Sequence, residues 1–341
     1  MLLQSIAHAL PQASLTQEDT LRVFRGSRPW GSLRQRSRDI VERVLGGESG
    51  IEKRHFCFSD PDRLFASDPG ELNRNYEAAA PALAAAALAN AMARAGVKPA
   101  EIDALFLCSC TGYLCPGPSS YVAEIAGLRT DAVLHDLVGL GCGAAIPAMR
   151  AASHFLAAEP GATAAVIAVE VCSAAFFLND DPGVLVSLCL FGDGASASIW
   201  KGRGKGLKAS GFRSVHHPEH RERIRFVNSG GKLCNQLHRS VPGLAAQAVC
   251  GLHASSGADP GYVIAHSGGR DVISALREAL PHAPLEETSS VLRDCGNMSS
   301  PSVLFSLERA VEAGATGPFW LTAFGAGFSA HSCRLDWACA V

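Results

Sequence analysis

The chain has 341 residues, a formal net charge of −2, 48% hydrophobic residues and 18% charged residues. This is the balance of a globular protein long enough to bury a large core without disulfides or a structural metal. It excludes the strongly basic surface of a nucleic-acid binder, and no uninterrupted apolar run reaches the ~20 residues of a membrane span.

Met1 to Gln12 lacks the basic start and long apolar run of a signal peptide. Arg34, Arg36 and Arg38 form a small basic cluster, read as a solvated face or as a site for a phosphate-bearing substrate. Ala78 to Ala95 is alanine-rich and predicts a buried helix of a soluble protein. "IDALFLCSC" (Ile102 to Cys110) predicts a strand, followed by a helix over Gly143 to Ala158 and a strand over Thr163 to Cys172. The glycine-rich "WKGRGKG" around Gly204 reads as a seam. Beyond it lie Arg221, Arg223 and Arg225, a second basic cluster open to the same two readings, and "HHPEH" at His216, which lacks a fixed metal-binding partner motif. Tyr262 to Gly269 and Pro318 to Gly327 predict two more strands, with a helix over Ser302 to Ala313 between them. Strands alternating with helices imply a layered α/β fold. Cys108, Cys172 and Cys189 lie within apolar runs and read as small core residues of a chain in the reducing cytoplasm.

The two ends of this pattern resemble each other. "ALFLCSC" is similar to "GYVIAHS", "GCGAAIPAMRAA" to "GNMSSPSVLFSLERA", and "GATAAVIAVE" to "ATGPFWLTAFG". The offset is nearly constant: Cys142 and Asn297 lie 155 residues apart, Gly161 and Ala315 154 apart. A duplicated βα unit is expected, with halves 1–205 and 206–341 in one compact body, and with Cys142 and Asn297 at equivalent places where a helix starts.

Three residues suit nucleophilic chemistry. Cys142 sits between Gly141 and Gly143 before a helix, where free N–H groups and the helix dipole favour the reactive thiolate. His266, at a strand end before two glycines, can take the thiol proton. Asn297 can donate to an oxyanion, or serve only as a helix cap. Each residue also has a purely structural reading: a core cysteine, a satisfied core histidine, a cap.

"SGIEKRHF", "TGYLCPG", "GCGAA", "LFGDGA", "GNMSSPSVLF" and "FGAGF" occur in this order over nearly the whole chain. In them the chain resembles the bacterial-type members of the type III polyketide synthases, the chalcone and stilbene synthase family. The resemblance implies a thiolase-like αβαβα fold of two pseudo-repeated halves. It implies an acyl-carrying nucleophile at Cys142, with His266 and Asn297 holding the thiolate and polarising the malonyl thioester. The expected reaction is decarboxylative Claisen condensation of malonyl units onto an acyl starter, then closure to an alkylpyrone or a phenolic ring. Phe191 matches a gatekeeper, and Asn235 stands where plant enzymes often carry a second one. Cys115 matches a residue inserted by a neighbouring subunit, which implies a homodimer. Glu170, Cys172, Ala175 and Phe324 are further implied substrate-site positions, and Gly268 and Gly269 a loop beside the pantetheine arm. Small Cys172 and Ala175 suggest room for a longer or more apolar acyl chain.

Substrates implied are acyl-CoA starters and malonyl-CoA, with no metal and no organic cofactor. Glu48 stands near the place of a coenzyme-A-binding lysine, so a carrier-protein donor stays open, as do Arg43, Lys53 and Arg54 as phosphate contacts. A single-turn 3-oxoacyl synthase is the neighbouring alternative. A papain-like hydrolase shares the order Cys, His, Asn but not the local context of its cysteine. A non-catalytic homologue is the third reading.

Overall fold

The computed structural model describes residues 1–58, 60, 64–65, 68–257 and 261–337, and of Glu48 the backbone alone. Thirteen strands are present among them: β1 Leu2–Ala9, β2 Ser14–Thr16, β3 Lys53–His55, β4 Ala104–Cys108, β5 Val133–Leu137, β6 Thr163–Glu170, β7 Gly194–Lys201, β8 Leu207–His216, β9 Ile224–Ser229, β10 Lys232–Leu237, β11 Tyr262–Ala265, β12 Phe319–Gly325 and β13 Ser329–Trp337. Nine of them form one sheet in the order β11-β12-β13-β8-β1-β7-β6-β4-β5.

The order contains the expected repeat. β4 runs parallel to β6, β6 antiparallel to β7, and β7 antiparallel to β1. In the second half, β11 runs parallel to β12, β12 antiparallel to β13, and β13 antiparallel to β8. Each parallel pair is joined by a crossover that contains a helix facing the middle of the molecule, Ala145–Ala158 in the first half and Ser302–Glu312 in the second. The two half-sheets are not separate ladders. They join through a short β1–β8 contact, Leu2 with Lys208 and Leu3 with Leu207. The seam segment 202–206 lies between β7 and β8.

Alternation along the strands builds the five layers. Ala104, Phe106 and Cys108 of β4 face the Ala145–Ala158 helix, and Phe319, Leu321 and Ala323 of β12 belong to the same central core. Leu105 and Leu107 of β4 turn the other way, onto the helix Pro69–Ala95. Trp320 and Phe324 of β12 turn onto the helices Val241–Ser256 and Arg270–Ala279. A strand buried on both faces must be apolar at every position, which is why these runs lack a polar alternation. The long alanine helix begins nine residues before the predicted start. Asp68 caps it by accepting from Glu71 N at 2.8 Å, and Pro69 fits the first turn, where no N–H is needed. Strands β4 and β11 stop short of the predicted ends, so Cys110, His266 and Gly268 lie on the loops just past them.

A fourth apolar cluster roofs Cys142. It joins Phe24, Val41, Phe56, Phe176 and the Pro182–Leu190 helix to Cys142, Cys172 and Phe191.

Candidate active site

Cys142 occupies a single helical turn, Gly141–Gly143, that leads into the Ala145–Ala158 helix. The turn is pressed against the end of β12 from the other half. A Cβ on Gly325 would stand 2.5 Å from Leu140 O, 2.6 Å from Gly143 N and 2.9 Å from Cys142 N. Gly141 has φ +58, and a Cβ there would meet Ala326 N at 2.8 Å. Backbones approach this closely only where both sides lack side chains.

His266 follows β11, with its N–H donating to Thr322 O at 2.9 Å. Its ring meets Phe324 edge-on, 5.4 Å between centroids. It is buried, and Nδ1 has no hydrogen-bond partner among the described residues. Asn297 is pinned by backbone and side chain together. Its N–H donates to Leu190 O at 2.9 Å, and its carbonyl accepts from Gly192 N at 3.1 Å, bridging it to Phe191. Nδ2 donates to Gly268 O at 3.1 Å, and Oδ1 accepts from Ser299 N at 2.8 Å. That fixes which way the amide faces and leaves its second N–H free for the cavity. Asn297 is not a helix cap, since the following helix starts at Ser302 with Pro301 as its cap.

Cys142, His266 and Asn297 line one cavity of about 460 Å³, together with Gly268, Gly269, Phe324 and Phe191. Burial pushes the Cys142 thiol up to about 12 and, acting alone, draws His266 down to about 4. The hydroxyl of Ser299, donating to the Cys142 sulfur at 3.1 Å, works the other way on the thiol. The resting pair is therefore a neutral thiol and a neutral imidazole, the form in which histidine can accept a proton. No hydrogen bond joins the two among the described residues; such contacts commonly close only when substrate binds.

A second, small cavity of about 30 Å³ lies behind the first, lined by Cys110, Thr111, Cys172, Ala175, Ser299 and several phenylalanines. Phe191, Phe226 and Asn235 line both, and so form the wall between them. Asn235 donates to Ser187 Oγ at 2.6 Å, a polar bond where an aromatic gate would have stacked. The room expected from small Cys172 and Ala175 is absent. Phe176, Phe177, Phe191 and Phe226 close the space down to a few water volumes.

Three positions need correction or relocation. Glu170 lines neither cavity: it is fully buried and accepts from Ser300 Oγ, Cys110 N, Thr111 N and Thr111 Oγ1, which makes it an anchor behind the site. Arg54 cannot reach a phosphate in solvent. It is fully buried, donating to Gln17 Oε1 and to the carbonyls of Leu188 and Phe191, both at 2.7 Å. Lys53 is exposed on β3 and lines neither cavity. Cys115 is exposed and lines neither cavity of its own chain. The side chain of Glu48 lies outside the described residues. Arg43 does line the large cavity, and so does Arg225, alone of its cluster. Arg34 pairs with Asp180 and Arg221 with Glu222, as solvated faces do. The "HHPEH" segment forms no metal-binding group among the described residues.

Four contributors escaped sequence reasoning. Arg239, Arg270 and His238 rim the large cavity with Arg43 and Arg225. Arg225 is engaged by Glu222 and Arg270 by Asp271, while Arg43 and Arg239 have no carboxylate partner among the described residues. Ser299 stands two residues after Asn297 inside a quoted motif; its spacing was the available signal.

Residues 11–217 match the family model of FAE1/type III polyketide synthase-like proteins, and residues 253–337 that of the 3-oxoacyl-[acyl-carrier-protein] synthase III C terminus. The chain is 30% identical to 3,5-dihydroxyphenylacetyl-CoA synthase of Streptomyces toyocaensis, over 97% of this chain and 89% of the relative. It is 27% identical to 1,3,6,8-tetrahydroxynaphthalene synthase of Streptomyces griseus, over 97% and 91%. The crystal structure of 1,3,6,8-tetrahydroxynaphthalene synthase from Streptomyces coelicolor A3(2) is similar over 100% of both chains, with a TM-score of 0.87 and 25% identity.

Proposed function

The chain belongs to the type III polyketide synthase family, and from that premise we propose that Cys142, His266 and Asn297 carry out its acyl condensation. The observation that carries this reading is their convergence on one cavity beneath a mouth rimmed by arginines. The Cys142 sulfur attacks the carbonyl of a starter thioester, its proton passes to His266, and coenzyme A leaves as the thiol after taking that proton back. A malonyl thioester then occupies the cavity with its carbonyl oxygen toward His266 and the free N–H of Asn297. Loss of carbon dioxide leaves an enolate whose oxygen these donors stabilise in a water-poor site. The enolate carbon attacks the acyl group, and Cys142 departs as the thiolate. The thioester is itself the electron sink, so the scheme needs no metal or organic cofactor. Phosphates of coenzyme A suit Arg43, Arg239 and Arg270, since guanidinium groups bind phosphate in bidentate fashion.

The relatives' names point to products with phenolic rings, and the α-pyrone polyketide synthase-like Pks18 of Mycobacterium tuberculosis, 29% identical over 76% of this chain, to pyrones. A single-turn 3-oxoacyl synthase is the second reading, favoured by the small inner cavity and by the family of residues 253–337. A homodimer fits the edge strand β5, where Val133 and Leu134 are exposed beside Val138. An unpaired apolar edge invites a partner.

The test is a product assay. Purified protein is incubated with malonyl-CoA and a panel of acyl-CoA starters, with Cys142→Ala alongside, and new masses are sought. Products carrying two or more malonyl units that vanish in the variant support the polyketide reading. Products carrying one unit support the single-turn reading. Activity only with carrier-protein thioesters relocates the donor, and no product with either donor overturns both.

A further inference from the structure

Ser299 lies where a serine is poorly accommodated. Its φ is +59, in the left-handed region that glycine occupies freely and that costs other residues free energy. It is buried, and each of its polar groups reaches a different part of the site. The hydroxyl donates to the Cys142 sulfur at 3.1 Å, and the backbone N–H donates to Asn297 Oδ1 at 2.8 Å. The hydroxyl oxygen also stands 3.2 Å from the Cys110 sulfur. A hydroxyl has one proton to give. The Cys110 contact can run in either direction, whereas in the contact with Cys142 the Ser299 hydroxyl is the donor.

We propose that Ser299 is a catalytic residue: its hydroxyl stabilises the thiolate of Cys142, and its backbone N–H sets the amide of Asn297. A hydrogen bond to a charged acceptor is stronger than one to a neutral acceptor, so this donor favours the thiolate over the thiol. The inference rests on Cys142 being the nucleophile of the proposed reaction. The left-handed φ provides a clean variant. Ser299→Gly removes the hydroxyl, keeps the N–H on Asn297 and suits the backbone better than serine does.

The test is the rate at which iodoacetamide alkylates Cys142 in the full chain, followed by peptide mass spectrometry from pH 6 to 9. In Ser299→Gly we expect alkylation at pH 7 to slow roughly tenfold or more, and the pH profile to move upward, with Tm no lower than wild type. Condensation, measured as kcat/KM with malonyl-CoA, should fall by a similar factor. Ser299→Ala should slow alkylation equally. An unchanged alkylation rate in Ser299→Gly, or slowing confined to Ser299→Ala, overturns the inference. Should the wild type condense no thioester at all while Ser299→Gly still slows alkylation, the role at the sulfur stands and the proposed reaction falls.

Discussion

The two half-sheets share one frame and use it differently. By strand pairing, Cys108 at the end of β4 lies opposite Ala168 of β6, as Ala265 at the end of β11 lies opposite Thr322 of β12. The next residue is Ser109 in the first half and His266 in the second. Ser109 is spent on structure: it accepts from the Tyr76 hydroxyl at 2.7 Å and donates to Glu170 at 3.3 Å. His266 has a buried Nδ1 with no partner among the described residues and faces the large cavity. At the other repeated place the assignment reverses. Cys142 of the first half is the proposed nucleophile, and Asn297 of the second half is the bound, oriented partner. A repeated fold supplies equivalent positions; the neighbours at each decide between reactivity and scaffolding.

The sharpest way to break this asymmetry is to remove the reactive member. Cys142→Ala should abolish condensation, a loss of at least ~10³-fold in kcat/KM, read by product mass. Material remaining activity would move the nucleophile elsewhere. Next comes the contact between the halves. Gly325→Ala puts a methyl group within 3 Å of Gly143 N and Cys142 N. We expect on the order of 10²-fold loss of kcat and ~1–3 kcal/mol of stability, although no functional side chain changes. Wild-type kcat in a folded variant would show that the turn is not held by β12. Smaller still is the rim. Arg239→Ala should raise KM for malonyl-CoA by roughly tenfold with kcat nearly unchanged, and the effect should shrink as salt rises.

The last effect concerns acid stability and leaves the chemistry at neutral pH untouched. Burial draws His331, on β13 behind Gly143, down to about 4, as it does His266. A depressed histidine pKa contributes stability that is complete above its unfolded value of about 6.5 and is lost as pH falls toward 4. Each histidine can account for up to ~3 kcal/mol over that window. Burial raises the pKa of Glu170 and Asp193, which act in the opposite sense from their ordinary carboxylate range upward, within the same window. The difference between variant and wild type is therefore the readout: His331→Gln should flatten the fall of Tm between pH 6.5 and 4. Parallel curves would place the acid sensitivity at another group.

What was legible in the chain follows from how local each signal is. Strands buried on both faces announce themselves as apolar runs, so β4, β6, β11 and β12 were readable, and their order carried the repeat. β7 was not readable, because Ser196 and Ser198 lie fully buried inside it, hydrogen-bonded to Ala7 O and Val166 O. Cys142 and Asn297 each stand beside a glycine that marks a close backbone approach, and His266 stands at the end of an apolar run. Arg43 and Arg225 were legible as phosphate contacts, but their union with Arg239 and Arg270 was not, because the four converge from separated segments. Cavity volume escaped for a similar reason. The small residues at 172 and 175 were visible, whereas the phenylalanines that fill the space in front of them come from the roof and from β9.

The glycine contact between the nucleophile turn and β12 has a further consequence. A fragment ending near Gly204 would carry the Cys142 sulfur but neither His266 nor the strand that holds its turn, and the complementary fragment would carry His266 without Cys142. The chain is thus an obligate pair in a single polypeptide, and complementation between fragments cut in the segment 202–206 is the form in which its chemistry could be divided and restored.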